Sequence, residues 1–188
     1  MSLTPASGMQ RFDSAPWPTL LKVSSAVATV LLAGAGYAVA RAIPRGTRVP
    51  FAETFGTLIA FVPPIIAFGA LLYVVRGYEL GPAELLIQRL LWNTRVSLEG
   101  VARAWHDPEI MRRSLRVWGN GGLYAFTGIY QNAALGRYRA FVTDPHQSVV
   151  LELPGRRIVI SPADPAAFLD GLVARFPQVR IGDPGRQA

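Results

Sequence analysis

Residues 116–161 read RVWGNGGLYAFTGIYQNAALGRYRAFVTDPHQSVVLELPGRRIVIS, a succession of short strands broken by turns. Arg116–Val117–Trp118 forms a short strand, and Gly119–Asn120–Gly121–Gly122 reads as a flexible turn whose three glycines accept positive φ. From Leu123 to Asn132 the side chains alternate. Tyr124, Phe126, Gly128 and Tyr130 share one face, and Ala125, Thr127, Ile129 and Gln131 the other. A glycine in mid-strand, Gly128, signals a bulge or a close backbone approach. Asn132 to Gly136 is a turn, Arg137 to Thr143 a strand, and Asp144–Pro145–His146–Gln147 a turn with proline where φ is already set. Ser148–Leu153 and Arg156–Ser161 form the clearest hairpin, closed by Pro154–Gly155.

Downstream, Ser161–Pro162–Ala163–Asp164–Pro165 offers two helix N-caps, each followed by a proline at the first helical position. Phe168, Leu169, Leu172, Val173 and Phe176 repeat at helical spacing, and Pro177 stops the helix. Upstream, Gly77–Pro82 reads as a short connector. Leu85–Trp92 (LLIQRLLW) fits strand or helix, and the adjoining Asn93 and TRVSLEGVARAW favour strand. His106–Asp107–Pro108 breaks the alternation of Val101, Arg103 and Trp105. Glu109–Leu115 is a helical turn or an irregular loop. About seven short antiparallel strands and one amphipathic helix predict an α+β, mainly β domain, a small sheet or barrel with the helix over one open end.

The order Trp118–Tyr124 (WGNGGLY), Gly128, Asn132–Tyr138 (NAALGRY), Ala140–Thr143 and Ile158–Pro162 followed by Asp164, Pro165 and Phe168 resembles the bacterial pleckstrin-homology-like (PH-like) domain family. The resemblance covers about 95 residues and is most specific in its C-terminal half. It implies a seven-stranded, strongly bent barrel capped by a C-terminal helix, acting as a binding or scaffold module without catalysis. Eukaryotic relatives by fold bind phosphoinositides through a basic cluster between the first two strands. Arg89, Asn93 and Arg95 occupy that region here, without a dense lysine–arginine pattern. Family members often carry one or two membrane spans ahead of the domain.

Two uncharged runs precede the domain. Val23–Ala40 has eighteen residues between Lys22 and Arg41, and Thr54–Val75 twenty-two between Glu53 and Arg76. At 1.5 Å per residue both approach the bilayer's hydrocarbon thickness of about 30 Å. Pro63–Pro64 sits in the middle of the second run and predicts a kink with no further role; a packing notch or hinge is the sharper alternative. Lys22, the apolar core and Ala38–Val39–Ala40 also imitate a signal peptide, though the leader before Lys22 is long for one. The expected organisation is a disordered tail over 1–19, a two-helix transmembrane anchor over 20–76, the PH-like domain over 77–177 and a flexible tail over 178–188. Two spans place both ends on one side. Arg11 and Lys22, with Arg76, Arg89 and Arg95, outnumber Arg41, Arg45 and Arg48 of the linker, so that side is cytoplasmic at a bacterial inner membrane.

The net charge of +7 divides into +3 for residues 1–75 and +4 for residues 76–188. A nucleic-acid binder clusters its basic residues, so this spread points away from nucleic acid. The chain has no cysteine. His106 and His146 lie forty residues apart with no acid at ligand spacing, so no metal or cofactor is expected. The glycines of 119–122 lack the dinucleotide and P-loop patterns. Asp164 and Asp170 read as a cap and a solvated face, and the aromatics Trp118, Tyr124, Phe126, Tyr130, Tyr138 and Phe141 as core packing. Arg137, Arg139, Arg156 and Arg157 fall on neighbouring strands and are the candidate contacts for anionic lipid or a partner. The expected partners are the bilayer, a membrane or cytoplasmic protein, and a second copy of the chain. The alternatives are an accessory subunit of a larger membrane complex and a small membrane enzyme.

Overall fold

The computed structural model describes residues 8–43 and 50–182. Strand β1 (Gln10–Asp13) precedes two long helices, α1 (Thr19–Ala42) and α2 (Pro50–Leu72). A mainly β domain follows: β2 (Gly77–Leu80), β3 (Glu84–Gln88), β4 (Asn93–Ser97), β5 (Arg103–His106), β6 (Leu115–Leu123), β7 (Ala125–Asn132), β8 (Gly136–Val142), β9 (Val149–Leu153), β10 (Arg156–Ile160), helix α3 (Pro165–Arg175) and β11 (Arg180–Ile181). Both long helices are long and apolar enough to cross a membrane, and little of either is buried against the protein.

The expected single seven-stranded barrel is not what the strands build. They divide into a four-stranded sheet, β1-β2-β3-β4, and a seven-stranded sheet, β11-β5-β9-β10-β8-β7-β6, and neither closes on itself. The chain leaves one sheet for the other at Leu98–Val101, where Gly100 takes φ +71° against Pro154. Two of the pairings are parallel, β10 with β8 and β11 with β5. The sheets share one core: Tyr78, Leu80, Leu85 and Ile87 from one, Leu151, Ile158 and Ile160 from the other, Phe168 and Leu172 from α3, and Phe176 at its C-cap. Asp164 caps α3 by accepting from the Ala167 amide at 3.0 Å. Within this core Tyr78 donates to the Phe141 carbonyl at 2.6 Å and accepts from the Ser161 amide at 3.0 Å. Burial pushes its phenol up to about 12.

A second cluster on the other face of the larger sheet includes Trp105, Tyr130 and Tyr138. Asn132 ties the overlying loop to it, donating to the Ile110 carbonyl and to Ser114 Oγ, while Tyr138 donates to the same Ser114. The Asn132–Tyr138 motif is thus a clamp on the 110–114 segment, which forms turns and no helix.

Four expectations are corrected. Gly119–Gly122 is no turn: it lies inside β6, paired with β7, and the reversal falls at Leu123–Ala125. Gly119 and Gly128 face each other so closely that a Cβ on either would stand 2.3 Å from Thr127 O or 2.1 Å from Trp118 O. Gly77–Leu80 is a buried strand and not a connector. The tail over 1–19 is ordered from Gln10, because Phe12 packs edge-to-face on Phe168 at 5.0 Å and Ala15 bonds Ser161 and Thr143. The tail over 178–188 begins with buried Val179 and the paired β11. Residues 1–7 and 183–188 of the two tails, and Arg45 and Arg48 of the linker, lie outside the described residues.

Where α1 and α2 cross, Gly36 meets Ala60 O and the Pro64 ring; a Cβ there would stand 2.9 Å and 3.3 Å from them. Proline at 64 has no N–H for the carbonyl four residues back, so Ala60 O is the acceptor it leaves free. Pro64 therefore serves helix packing as well as bending, through a small residue opposite it.

Candidate functional site

The functional geometry lies where the helices meet the domain. The tip of the β6–β7 hairpin leans on α1. Tyr124, at φ +65°, donates its amide to Ser25 Oγ at 2.9 Å, shares a hydrogen bond with Thr29 Oγ1 at 2.6 Å, and lies 6.0 Å from the Trp17 ring. Asn120 shapes the tip, bonding the Leu123 carbonyl through Nδ2 and accepting from the Leu123 amide at 3.1 Å.

Behind this hairpin a cavity of about 1070 Å³ opens between α2 and the larger sheet. One wall is the end of α2 and its exit, with Ile66, Gly69, Ala70 and Tyr73. The opposite wall carries Trp118, Thr127, Ile129 and Phe141. These come from one face of the sheet, because register pairs Trp118 with Ile129, Ile129 with Arg139, and Thr127 with Phe141. Arg89, Arg116 and Arg139 supply the charge.

Arg89 is the unusual member. It is only 7% exposed. Its guanidinium donates to the Tyr73 carbonyl at 2.7 Å and to Thr94 Oγ1 at 2.9 Å. It lies over the Tyr73 and Phe141 rings at 5.2 and 5.4 Å. Arg139 sits over the same Phe141 ring at 5.1 Å. Among the described residues no carboxylate comes within ion-pair distance of either; the arginines so paired are Arg11, Arg95, Arg112 and Arg157. Burial, and then the Arg139 charge, hold the Arg89 guanidinium below its ordinary value. A buried charge without a counter-ion costs several kcal/mol. Thr127 Oγ1 is also buried and unpartnered among the described residues.

The four candidate arginines do not form one cluster. Arg139 lines the cavity and Arg137 is exposed two residues earlier on β8. Arg156 donates to the Ser97 carbonyl at 2.9 Å, and Arg157 to Leu135 O and Glu152 Oε1 at 2.6 and 3.1 Å. Successive residues on a strand point to opposite faces, which separates Arg156 from Arg157. Reasoning from sequence placed Arg89 in the region where relatives by fold bind phosphoinositides, but not among the four candidate contacts and not beside Arg139. Its own signal was the one charged residue in the largely apolar Leu85–Trp92 run.

Of the exposed large apolar side chains outside the two long helices, nearly all sit here. Leu90, Leu91 and Trp92 form the β3–β4 turn, Tyr73 leaves α2, and Leu115, Val117 and Trp118 lie on edge strand β6; Ile181 is the exception. Tyr73 and Trp92 touch edge-to-face at 5.3 Å. Trp118 is 76% exposed, where core packing is expected from sequence. No three metal-ligating side chains gather among the described residues, and His106 Nε2 simply meets the His146 carbonyl at 3.1 Å.

A family model described as "Bacterial PH domain" matches residues 76–176, more than half the chain. No curated protein and no solved structure matches it.

Proposed function

Since the chain belongs to the bacterial PH domain family, we propose that it is a membrane-anchored binding module. On this reading α1 and α2 cross the bacterial inner membrane, and the domain lies on the cytoplasmic side, making lipid or protein contacts without catalysis. The observation that carries the reading is the gathering of Leu90, Leu91, Trp92, Leu115, Val117 and Trp118 on the two elements nearest the helix ends. Aromatic and aliphatic side chains at that level suit the bilayer interface. The pairing of β1 with β2 favours keeping the N-terminal segment uncleaved, with both ends on one side.

Alkaline extraction of membranes expressing the full chain, with reporters fused at each end, tests the reading. The protein stays in the pellet and both reporters give cytoplasmic signals. Release into the supernatant, or an external C-terminal reporter, overturns it. Arg137, Arg139, Arg156 and Arg157 remain the candidate headgroup contacts. Reversing the first two lowers binding to anionic liposomes more than reversing the last two, which already have protein acceptors.

The exposed outer faces of α1 and α2 favour one second reading, an accessory subunit whose spans pack on another membrane protein. Crosslinking from β6 in living cells separates the readings: a single captured protein supports the subunit, and lipid adducts support direct membrane contact.

A further inference from the structure

We propose that the open edge of β6, beside the last turns of α2, takes an extended acidic segment of a partner membrane protein as an added strand. The inference rests on the membrane-anchored reading and gives that module's protein contact a place, a backbone geometry and a charge.

Three features converge. The first is the strand itself. β6 has nine residues, the longest strand described, and it ends the seven-stranded sheet, pairing with β7 alone. The other sheet edges, β1, β4 and β11, have four, five and two residues. A strand with one open face alternates exposed and covered residues. Leu115 to Gly119 are instead exposed without a break, so the outer edge is open as well as both faces. An edge turns N–H and C=O groups outward alternately, and a long apolar edge is a template for another strand. A phosphate or an acyl chain cannot answer such a row, and a polypeptide answers both kinds of group. The second feature is charge. Arg116 lies on β6, and Arg139 shares a cross-strand row with Trp118 through Ile129. Both line the cavity of about 1070 Å³ that follows β6 from Arg116 to Gly121. Neither is ion-paired among the described residues. β6 carries no acid, so a second copy of the strand would leave both unanswered, and the complementary segment is acidic. Thr127, 3% exposed, adds to the cavity wall a hydroxyl without a partner among the described residues. The third feature is place. Ile66, Gly69 and Ala70 of α2, a helix apolar enough to cross a membrane, form the opposite wall. A segment seated there runs beside a span, and apolar side chains alternating with its acids meet the exposed Val117 and Trp118.

Fluorescence anisotropy on the full chain in phosphatidylcholine nanodiscs tests the edge. The probes are a short labelled peptide of alternating valine and glutamate, its lysine counterpart, and the glutamate peptide N-methylated at every second residue. The parent chain binds the glutamate peptide about tenfold more tightly than either of the others, the worth of one charge-assisted contact. Arg116→Glu, at an exposed position, reverses the preference between glutamate and lysine. Arg180→Glu, on the exposed β11 at the opposite edge of the sheet, keeps the parent's preference. Absent binding, equal binding of the glutamate and lysine peptides, or equal binding of the N-methylated peptide overturns the proposal. Two other occupants have their own signatures, and either also overturns it. A lipid headgroup site gives binding that ignores N-methylation and is lost when phosphatidylglycerol is added. A second copy gives a disulfide between Val117→Cys chains, in a protein otherwise free of cysteine, that the glutamate peptide does not suppress. Alkaline extraction of cell membranes separates the two levels. A chain that stays in the membrane and fails the peptide tests loses only this surface, and a chain that is extracted loses the anchored reading with it.

Discussion

Gly119 and Gly128 show how much a single side chain can decide. They are cross-strand neighbours at φ +107° and +142°, and no residue with a Cβ fits either place. Gly128→Ala brings its methyl to 2.1 Å from Trp118 O, so β6 must peel from β7. The expected cost is about 2–4 kcal/mol, read as a lowered melting temperature of the solubilised chain; an unchanged melting temperature contradicts the close approach. Tyr78 makes a second prediction. Its phenol, ordinarily near 10, is pushed up to about 12 by burial. Below pH 10 it is neutral in the folded and unfolded chain alike, and its contribution is fully present. As pH rises from about 10 to about 12 only the unfolded chain ionises, so stability falls by about 2–3 kcal/mol across that window. Tyr78→Phe flattens this alkaline loss, measured by tyrosinate absorbance alongside unfolding, and an equally steep loss in the variant contradicts the assignment. Sequence made Gly128's close approach legible, because a glycine breaks an otherwise regular alternation. That Arg89 meets no carboxylate among the described residues was not legible. Having no counter-ion is a property of what surrounds a side chain in space.

Elements were legible in proportion to their length and punctuation. The hairpin of β9 and β10, closed by Pro154–Gly155, and α3, opened by Asp164 and Pro165, carry turn and cap residues that local chemistry fixes. β1 and β2 are four residues each, too short for alternation to show, and Pro16 and Pro18 drew attention to disorder. Only tertiary partners make β1 a strand: Phe168 under Phe12, and Gly171, where a Cβ would stand 2.9 Å from the Phe12 ring. Phe12→Ala therefore lowers stability by about 2 kcal/mol, measured by thermal unfolding, whereas a loose tail would give no change. Sheet membership was illegible for the same reason. The Leu98–Val101 turn, which splits the strands into two sheets, looks in sequence like any other reversal.

At the scale of the whole molecule, the pairing of β1 with β2 carries the chain from the domain into α1, and α2 returns it to β2. The segment that leads into α1 thus shares a sheet with the domain, and the hairpin tip at Tyr124 and the cavity lined by Arg89 and Arg139 sit where the long helices meet it. The central claim is that this junction faces the bilayer, with edge strand β6 at the level of the lipid headgroups. Single-tryptophan variants of the full chain, reconstituted with lipids brominated at graded depths, test it most directly. Trp118, 76% exposed on β6, is quenched by the shallowest labels, while Trp105, 3% exposed in the core, is not. Quenching of Trp118 no stronger than that of Trp105 would contradict the account.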